Sequence, residues 1–493
     1  MLERGNMCKY KEYSYLDERL AVYAQSDFYP FHMPGHKRAD IDFANPYQLD
    51  VTEIDGFDNL HHAQDLLLQC QQRLGSLYHS KKSYYLVNGS TCGILSAVGA
   101  VTKRGDTVIM ARNCHKAVYH AVQLFGLHAV YVYPKVMEYG IQGGIDPDDV
   151  KASLQEQKNV KAVILTSPTF DGIVSDIGIL ADMIHRYGAY LIVDEAHGAH
   201  FSMDSHFPVS AVQKDADLVI QSLHKTLPSF TQTAVLHVAS DRVDDDQIEE
   251  MLQVFQTSSP SYLLMAGIDR CVRLLEQSGT QLFQTYTDRL ASFYQKCGTL
   301  RFLQVLTADD YRMYPVYDLD PSKLVISTAS APIDGYQLYE RLLNRYHLQM
   351  EMYSAEYVLA MTSIMDTQEG FDRLFEALAE IDLECCGKTD RREEGQAVLN
   401  QPFMQNIYAK REKRMDLAEV KQYLTQETIL EDCIGQICAE YIYLYPPGIP
   451  FVVPGELLTK EVVEIVKECR KRNLNIQGPR DQKCQKIQTV EAF

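Results

Sequence analysis

The run Tyr190-Leu191-Ile192-Val193-Asp194-Glu195-Ala196-His197-Gly198 begins as an apolar, partly β-branched stretch and stops on a carboxylate, with Glu195 and His197 in the polar turn beyond it. A short apolar run bounded by such a turn fits a strand buried on both faces. The same rhythm recurs on either side. Between about residues 83 and 240, strands are predicted at 84–87, 107–111, 129–132, 162–166, 190–194, 218–221 and 234–238, with helices at 91–101, 116–125, 147–155 and 177–187. The third of these helices has Asp146 as its expected N-cap and Pro147 at its first position. This alternation predicts an α/β domain with a largely parallel sheet, whose ligands gather at the carboxyl ends of the strands. Asp194 and the polar turns after Val87 and Ile220 all fall at such ends.

The turn after the following strand reads Ser222-Leu223-His224-Lys225-Thr226, which places Lys225 at 225 − 194 = 31 residues beyond Asp194. A lysine amine can form a Schiff base with the aldehyde of pyridoxal phosphate, and a carboxylate beside the pyridine nitrogen keeps that ring an electron sink. Asn88-Gly89-Ser90-Thr91-Cys92-Gly93 joins a predicted strand to a predicted helix, where hydroxyls and backbone N–H groups suit a phosphate. Plain capping by Ser90 or Thr91 is the simpler alternative, and the spacing is not that of a P-loop. Ser222 and His224 flank the lysine and can donate to the same phosphate. His115, in Arg112-Asn113-Cys114-His115-Lys116, follows another strand end, where an imidazole can either stack on a pyridine ring or simply open a helix. The cluster from Asp194 to His200 also admits a metal reading, which is weaker: it lies at a strand end and has no HExxH spacing.

Composition narrows the class. The 493 residues, 46% hydrophobic and 23% charged, suffice for about two to four globular domains. A formal charge of −19 argues against nucleic acid as the main partner and suits a cationic small molecule. The 12 cysteines are scattered, include the adjacent Cys385-Cys386 and form no CxxC pair, so reduced thiols are expected. The N-terminus lacks the apolar core of a signal peptide, and no run approaches the roughly 18 apolar residues of a membrane helix. A cytoplasmic protein is expected.

After a helical segment at 260–277 the pattern changes to a smaller mixed region, with a strand at 324–328 and helices at 335–344 and 370–381. A charged linker is expected at 387–395, followed by a strand at 437–445, the turn Pro446-Pro447-Gly448-Ile449-Pro450 and a helix at 460–472. The expected organisation is an N-terminal arm (1–45), a cofactor-binding large domain (46–290), a small α/β domain (291–386) and a C-terminal domain (387–493).

With these residues in hand, the chain resembles the bacterial ornithine/lysine/arginine decarboxylases, which have the aspartate-aminotransferase-like fold of pyridoxal phosphate enzymes. Besides the motifs above, the likeness rests on Phe31-His32-Met33-Pro34-Gly35-His36-Lys37, Gln232, Thr257-Ser258-Ser259-Pro260-Ser261-Tyr262, Tyr445-Pro446-Pro447-Gly448-Ile449-Pro450 and Pro454-Gly455-Glu456. It implies that Lys225 carries the cofactor, Asp194 pairs with the pyridine nitrogen, and His115 stacks on one face of the ring while Ala196 packs on the other. His197 would sit beside the site. Ser90, Thr91, Ser222 and His224 would bind phosphate, with a hydroxyl of Thr257 or Ser258 supplied by the partner in a homodimer. The implied activity is α-decarboxylation of arginine, lysine or ornithine to an amine and CO2, in polyamine-type metabolism, with Lys225 or His197 returning a proton to Cα. Glu351 and Glu456 are the candidate carboxylates for the distal cation of the substrate. Alternatives are another reaction of the same cofactor, such as transamination or β-elimination, and a non-catalytic cofactor-binding regulator. The Pro-Gly-His motif begins only some thirty residues in, which resembles the shorter branch without the N-terminal wing domain. Two segments depart from the family pattern: Asp55, Phe57 and Asn59 within 52–60, and Asp366-Thr367 after Met365.

Overall fold

The computed structural model describes residues 15–41, 43–312, 314, 316–386, 406–445, 448–472 and 474–491. A seven-stranded sheet organises the large domain: β1 (Lys82–Leu86), β2 (Thr107–Ala111), β3 (His128–Val132), β4 (Val160–Thr166), β5 (Tyr190–Asp194), β6 (Leu218–Gln221) and β7 (Ala234–Val238). Their order is β1-β7-β6-β5-β4-β2-β3. The strands β2 to β6 are mutually parallel, and β7 runs antiparallel to both of its neighbours.

Nearly every residue of β5, β6 and β7 is buried, which explains why these segments read as unbroken apolar runs. One face of the sheet packs a core that includes Ile94, Val98, Val118, Val122, Leu180 and Ile184 from the crossover helices. The other face joins a second core shared with the small domain, through Tyr85, Leu223, Val235 and Ile268. The helices start where the local chemistry dictates. Asp146 and Asp176 accept backbone N–H groups at the heads of Pro147–Glu156 and Ile177–Arg186, and Gly126, in the left-handed region at φ 66°, stops Lys116–Phe125.

The helix expected at 260–277 is far longer, Tyr262–Cys297, spanning 36 residues and passing through position 290. Phe283, Tyr286, Leu290, Phe293 and Cys297 continue its buried stripe at helical spacing, between charged residues that obscure it in the sequence. Helices Leu66–Tyr78 and Asp245–Phe255 were not anticipated. Beyond the long helix, Gln304–Val305, Lys323–Ser327, Tyr357–Met361 and Met352–Tyr353 form an antiparallel sheet, joined by helices Gly335–Arg345 and Gln368–Cys385.

The expected linker at 387–395 lies outside the described residues. The C-terminal unit pairs Ile442–Leu444 with Ile449–Val452 and Ile476–Gln477, and helix Lys460–Lys471 completes a separate small core around Phe451, Val462 and Val466. The strand expected at 437–445 is thus confined to its last third. Among the described residues every cysteine is a free thiol, and no helix is long and apolar enough to cross a membrane.

Candidate active site

The carboxyl ends of β4, β5 and β6 open into a cavity of about 480 Å3, closed from the other side by the small domain and the C-terminal unit. In-register pairing of Thr166 with Asp194, and of Asp194 with Ile220, puts those strand ends side by side. Asp194 is 4% exposed and accepts the Ala196 N–H at 3.2 Å. Burial raises its pKa, while the Lys225 ammonium and the Ala196 N–H pull it down. A cationic N–H brought to this carboxylate would restore its charged form.

Lys225 sits in the short helix Leu223–Thr226, directly after β6, and its Nζ lies 2.9 Å from Nε2 of His197. Burial lowers its pKa against the opposing pull of Asp194 and Glu351, which favours the neutral, nucleophilic amine. His115 is the N-cap of helix Lys116–Phe125: its Nδ1 accepts the Ala117 N–H at 3.2 Å. Burial, aided by Lys225, pushes its pKa down to about 3, so the ring is neutral and serves as a flat face rather than a charge. His115 therefore opens the helix, as one of its two readings had it, and the same ring also lines the cavity.

The turn Asn88-Gly89-Ser90 opens helix Gly89–Val101, and Asn88 does not cap it with its side chain. The Asn88 Oδ1 instead accepts the Thr257 N–H at 3.2 Å, leaving the first N–H groups of the helix available to an anion. Gln232, at φ 83°, clamps the turn by donating to the Val87 carbonyl at 2.6 Å. Ser222 Oγ donates to Ser90 Oγ at 3.0 Å, and Ser90 and Thr91 both line the cavity. His224 Nδ1 lies 2.9 Å from the Thr233 carbonyl, which fixes its proton there. Burial holds its pKa near 4, so Nε2 needs the field of a phosphate dianion to gain a proton and donate. A helix N-terminus with its own cap turned away, an amine, and a buried carboxylate thus fit pyridoxal phosphate. Asn113 adds a buried Oδ1 without a hydrogen-bond partner in the same wall.

Ala196 and His197 line the cavity as expected, while Glu195 turns away to accept Ser210 Oγ, the Ala211 N–H and Gln221 Nε2. His200 Nε2 is engaged with Asp320 Oδ1 at 3.1 Å, so the segment from Asp194 to His200 does not converge on one point, as a metal would require. The two substrate candidates separate. Glu351 lines the cavity and accepts the Met33 N–H at 2.9 Å. Glu456 does not line it: fully buried, it accepts Arg112 Nη2 at 3.2 Å on both oxygens and the Val453 N–H at 3.0 Å. Its carboxylate neutralises a buried guanidinium and ties the C-terminal unit to the end of β2. Thr257 and Ser258 are exposed and outside this cavity.

Several wall residues escaped the sequence reading. Asp171 follows the end of β4 and accepts the Tyr357 hydroxyl at 2.8 Å; the strand-end rule that found Asp194 would have found it. Tyr357 and Tyr408 in the wall, and Lys323 behind it against His197, carry no comparable local signal, since each reaches the site only through tertiary packing.

A family model described as the Orn/Lys/Arg decarboxylase major domain matches residues 15–324, and that of the C-terminal domain of the same family matches 397–475. A Bacillus subtilis protein named arginine decarboxylase is 27% identical over 94% of this chain and 94% of its own. The B. subtilis protein YaaO, described as uncharacterised, is 32% identical over 94% and 95%. The crystal structure of Francisella novicida lysine decarboxylase covers 95% of this chain and 80% of its own, with a TM-score of 0.76 at 20% identity, a likeness of fold. The architecture is that of the fold-type I pyridoxal phosphate enzymes. By its match over most of its length, the chain belongs to the Orn/Lys/Arg decarboxylase family.

Proposed function

We propose that the protein removes the α-carboxylate of a basic amino acid, releasing CO2 and the corresponding amine, with pyridoxal phosphate held on Lys225. The observation that carries this reading is one cavity lined by Lys225, Asp194 and Glu351 together. Bound pyridoxal phosphate supplies an electron sink for the broken Cα–carboxylate bond. Asp194 would hold the proton on the pyridine nitrogen, while His115 and Ala196 would enclose the ring. Ser90, Thr91, Ser222, His224 and the N–H groups at the head of Gly89–Val101 would anchor the phosphate. Glu351 receives the distal cation. Phe170, Met352, Tyr445 and Ile449 cover the cavity and thin the water around it. His197 Nε2 and Lys225 Nζ, 2.9 Å apart, pass the proton that replaces the carboxylate on Cα.

The active unit in this reading is a homodimer, in which exposed Thr257 or Ser258 of one copy completes the phosphate site of the other, and the protein works in the cytoplasm. Arginine heads the substrate panel, since relatives aligned over nearly the whole chain bear the name arginine decarboxylase. Incubating the cofactor-loaded protein with arginine, lysine and ornithine should give CO2 and amine from at least one. Keto acid in place of amine would overturn the reaction. Equal turnover of neutral amino acids would overturn the role of Glu351.

A further inference from the structure

Lys323 is the first residue of the small-domain strand Lys323–Ser327, yet its Nζ lies 3.2 Å from His197 Nδ1. The other nitrogen of that ring lies 2.9 Å from Lys225 Nζ. Three basic groups are therefore threaded in a line, Lys323–His197–Lys225, with Lys323 3% and His197 7% exposed. The route taken by the Lys323 stem is built into the backbone. Gly172 has φ +98°, and a Cβ there would come 2.9 Å from Lys323 Cγ, so the loop leaves room for this side chain. Phe170 presses on the His197 ring at a centroid distance of 5.0 Å and 64°.

We propose that Lys323 is a positioning residue whose ammonium donates to His197 Nδ1 and so holds the imidazole as the tautomer with its proton on Nε2, aimed at Lys225 and the reacting carbon. Its catalytic consequence rests on the decarboxylase reading; the ring state does not. A neutral imidazole has one N–H and one bare nitrogen, and the nitrogen that accepts from an ammonium must be the bare one. Lys225 competes for the ring from the other side, but burial favours its neutral amine, which can accept from the Nε2–H, whereas Lys323 keeps its ammonium and decides the tautomer.

The charges around the triad agree with this assignment. Burial lowers the pKa of His197 well below its usual value, with both lysines adding to the effect, so the ring stays neutral. Lys323 is brought down to about 8 by burial and by Lys225 and Lys37, while Asp320 and Glu351 oppose, and Asp171 also interacts with it. At neutral pH its ammonium therefore persists, and it is lost as pH rises through about 8. When the Nε2–H bond breaks and a Cα–H bond forms, Nδ1 takes a proton from Lys323. The ring ends neutral, and Lys323 ends as an amine that regains its proton from water.

The test uses holoenzyme labelled with 15N-histidine, the His197 signals being assigned by their loss in His197→Gln. The wild type should show a protonated Nε2 and a bare Nδ1, and Nδ1 should shift as pH passes through about 8. Lys323→Met should populate the Nδ1–H tautomer and lower kcat about tenfold, below the full contribution of an acid–base group, with KM changed less than about twofold. Lys323→Arg, a permanent cation, should restore the Nε2–H signal and abolish the alkaline loss of kcat. A wild-type proton on Nδ1, no Nδ1 response between pH 7 and 9, or an unchanged ring in Lys323→Met would each overturn the proposal. The ring signals are read whichever amine is formed, so failure of the substrate panel is a separate result.

Discussion

Asp194, Ser222, Lys225 and the turn at Gly89 all project from the ends of one sheet or the turns that follow it, whereas Glu351, Tyr357 and Tyr445 reach the cavity, and Lys323 reaches His197 in its wall, from the small domain and the C-terminal unit. The first group is placed by backbone register, with Thr166 beside Asp194 and Asp194 beside Ile220. The second rests partly on a ladder of its own, with Lys323 opposite Met361 and Tyr357 opposite Ser327, but meets the large sheet and the N-terminal segment through single contacts: Tyr357 on Asp171 at 2.8 Å, the Met33 N–H on Glu351 at 2.9 Å, Arg112 on Glu456 at 3.2 Å. A floor held by a hydrogen-bonded ladder is rigid and suits electron and proton chemistry. A roof held by a few contacts adapts more readily and suits discrimination between substrates. Changes in the floor should therefore act on kcat, and changes in the roof on KM, with the exception of Lys323, whose contact is with His197 of the floor.

The largest effect is expected at the floor. Lys225→Ala should lower decarboxylation by at least about ten-thousand-fold and abolish the absorbance of lysine-bound cofactor, as removal of both the covalent anchor and a proton carrier implies. Turnover at near-wild-type rate would remove Lys225 from the mechanism. Asp194→Asn comes next, with kcat down about a hundred- to a thousand-fold, the scale of deleting one preorganised electrostatic partner, and KM nearly unchanged. A defect confined to KM would move Asp194 into the binding class and erase the distinction between the two regions.

At the roof, Glu351→Gln should raise KM for the preferred basic amino acid about 10–100-fold while kcat stays within about threefold. That corresponds to the loss of one charge-assisted hydrogen bond, roughly 1.5–3 kcal/mol. Steady-state kinetics with the preferred substrate and a neutral analogue separates the cases, since the analogue should respond little. An equal loss for both would mean that Glu351 shapes the cavity without reading the cation.

The floor was legible in the sequence because its physics is local. Strands buried on both faces must be apolar throughout, so 190–194, 218–221 and 234–238 appear where the chain forms them, and the polar residues that follow the parallel ones lie at their carboxyl ends. The roof obeys no such rule. Glu351 and Glu456 were equal candidates in one dimension, and only the burial of Arg112 against Glu456 shows which carboxylate is already neutralised. Lys323, after Pro321-Ser322, reads as an ordinary turn lysine; its contact with His197 spans 126 positions. The long helix was cut short for a related reason, since its later turns bury Phe283, Tyr286 and Phe293 against the small domain while presenting charges to solvent.

The smallest expected effect lies on the seam between the two regions, at Asp171 in the floor and Tyr357 in the roof. Burial pushes the Asp171 carboxyl up to about 6 from its ordinary 3.8, against the pull of the Tyr357 hydroxyl and Lys323. The native state thus binds this proton more tightly than the unfolded chain, and stability falls as pH rises between about 4 and 6. Below that window the group costs nothing; above it the whole penalty is present, up to about 3 kcal/mol for a shift of this size. Asp171→Asn keeps an acceptor for the Tyr357 hydroxyl and never ionises. It should therefore match the wild type in Tm near pH 4 and exceed it near pH 7.5, with kcat and KM each changed less than about threefold. A wild type more stable than the variant at pH 7.5 would mean that the ionised carboxylate is itself the bond across the seam, and that the roof is held to the floor by charge rather than by a neutral hydrogen bond.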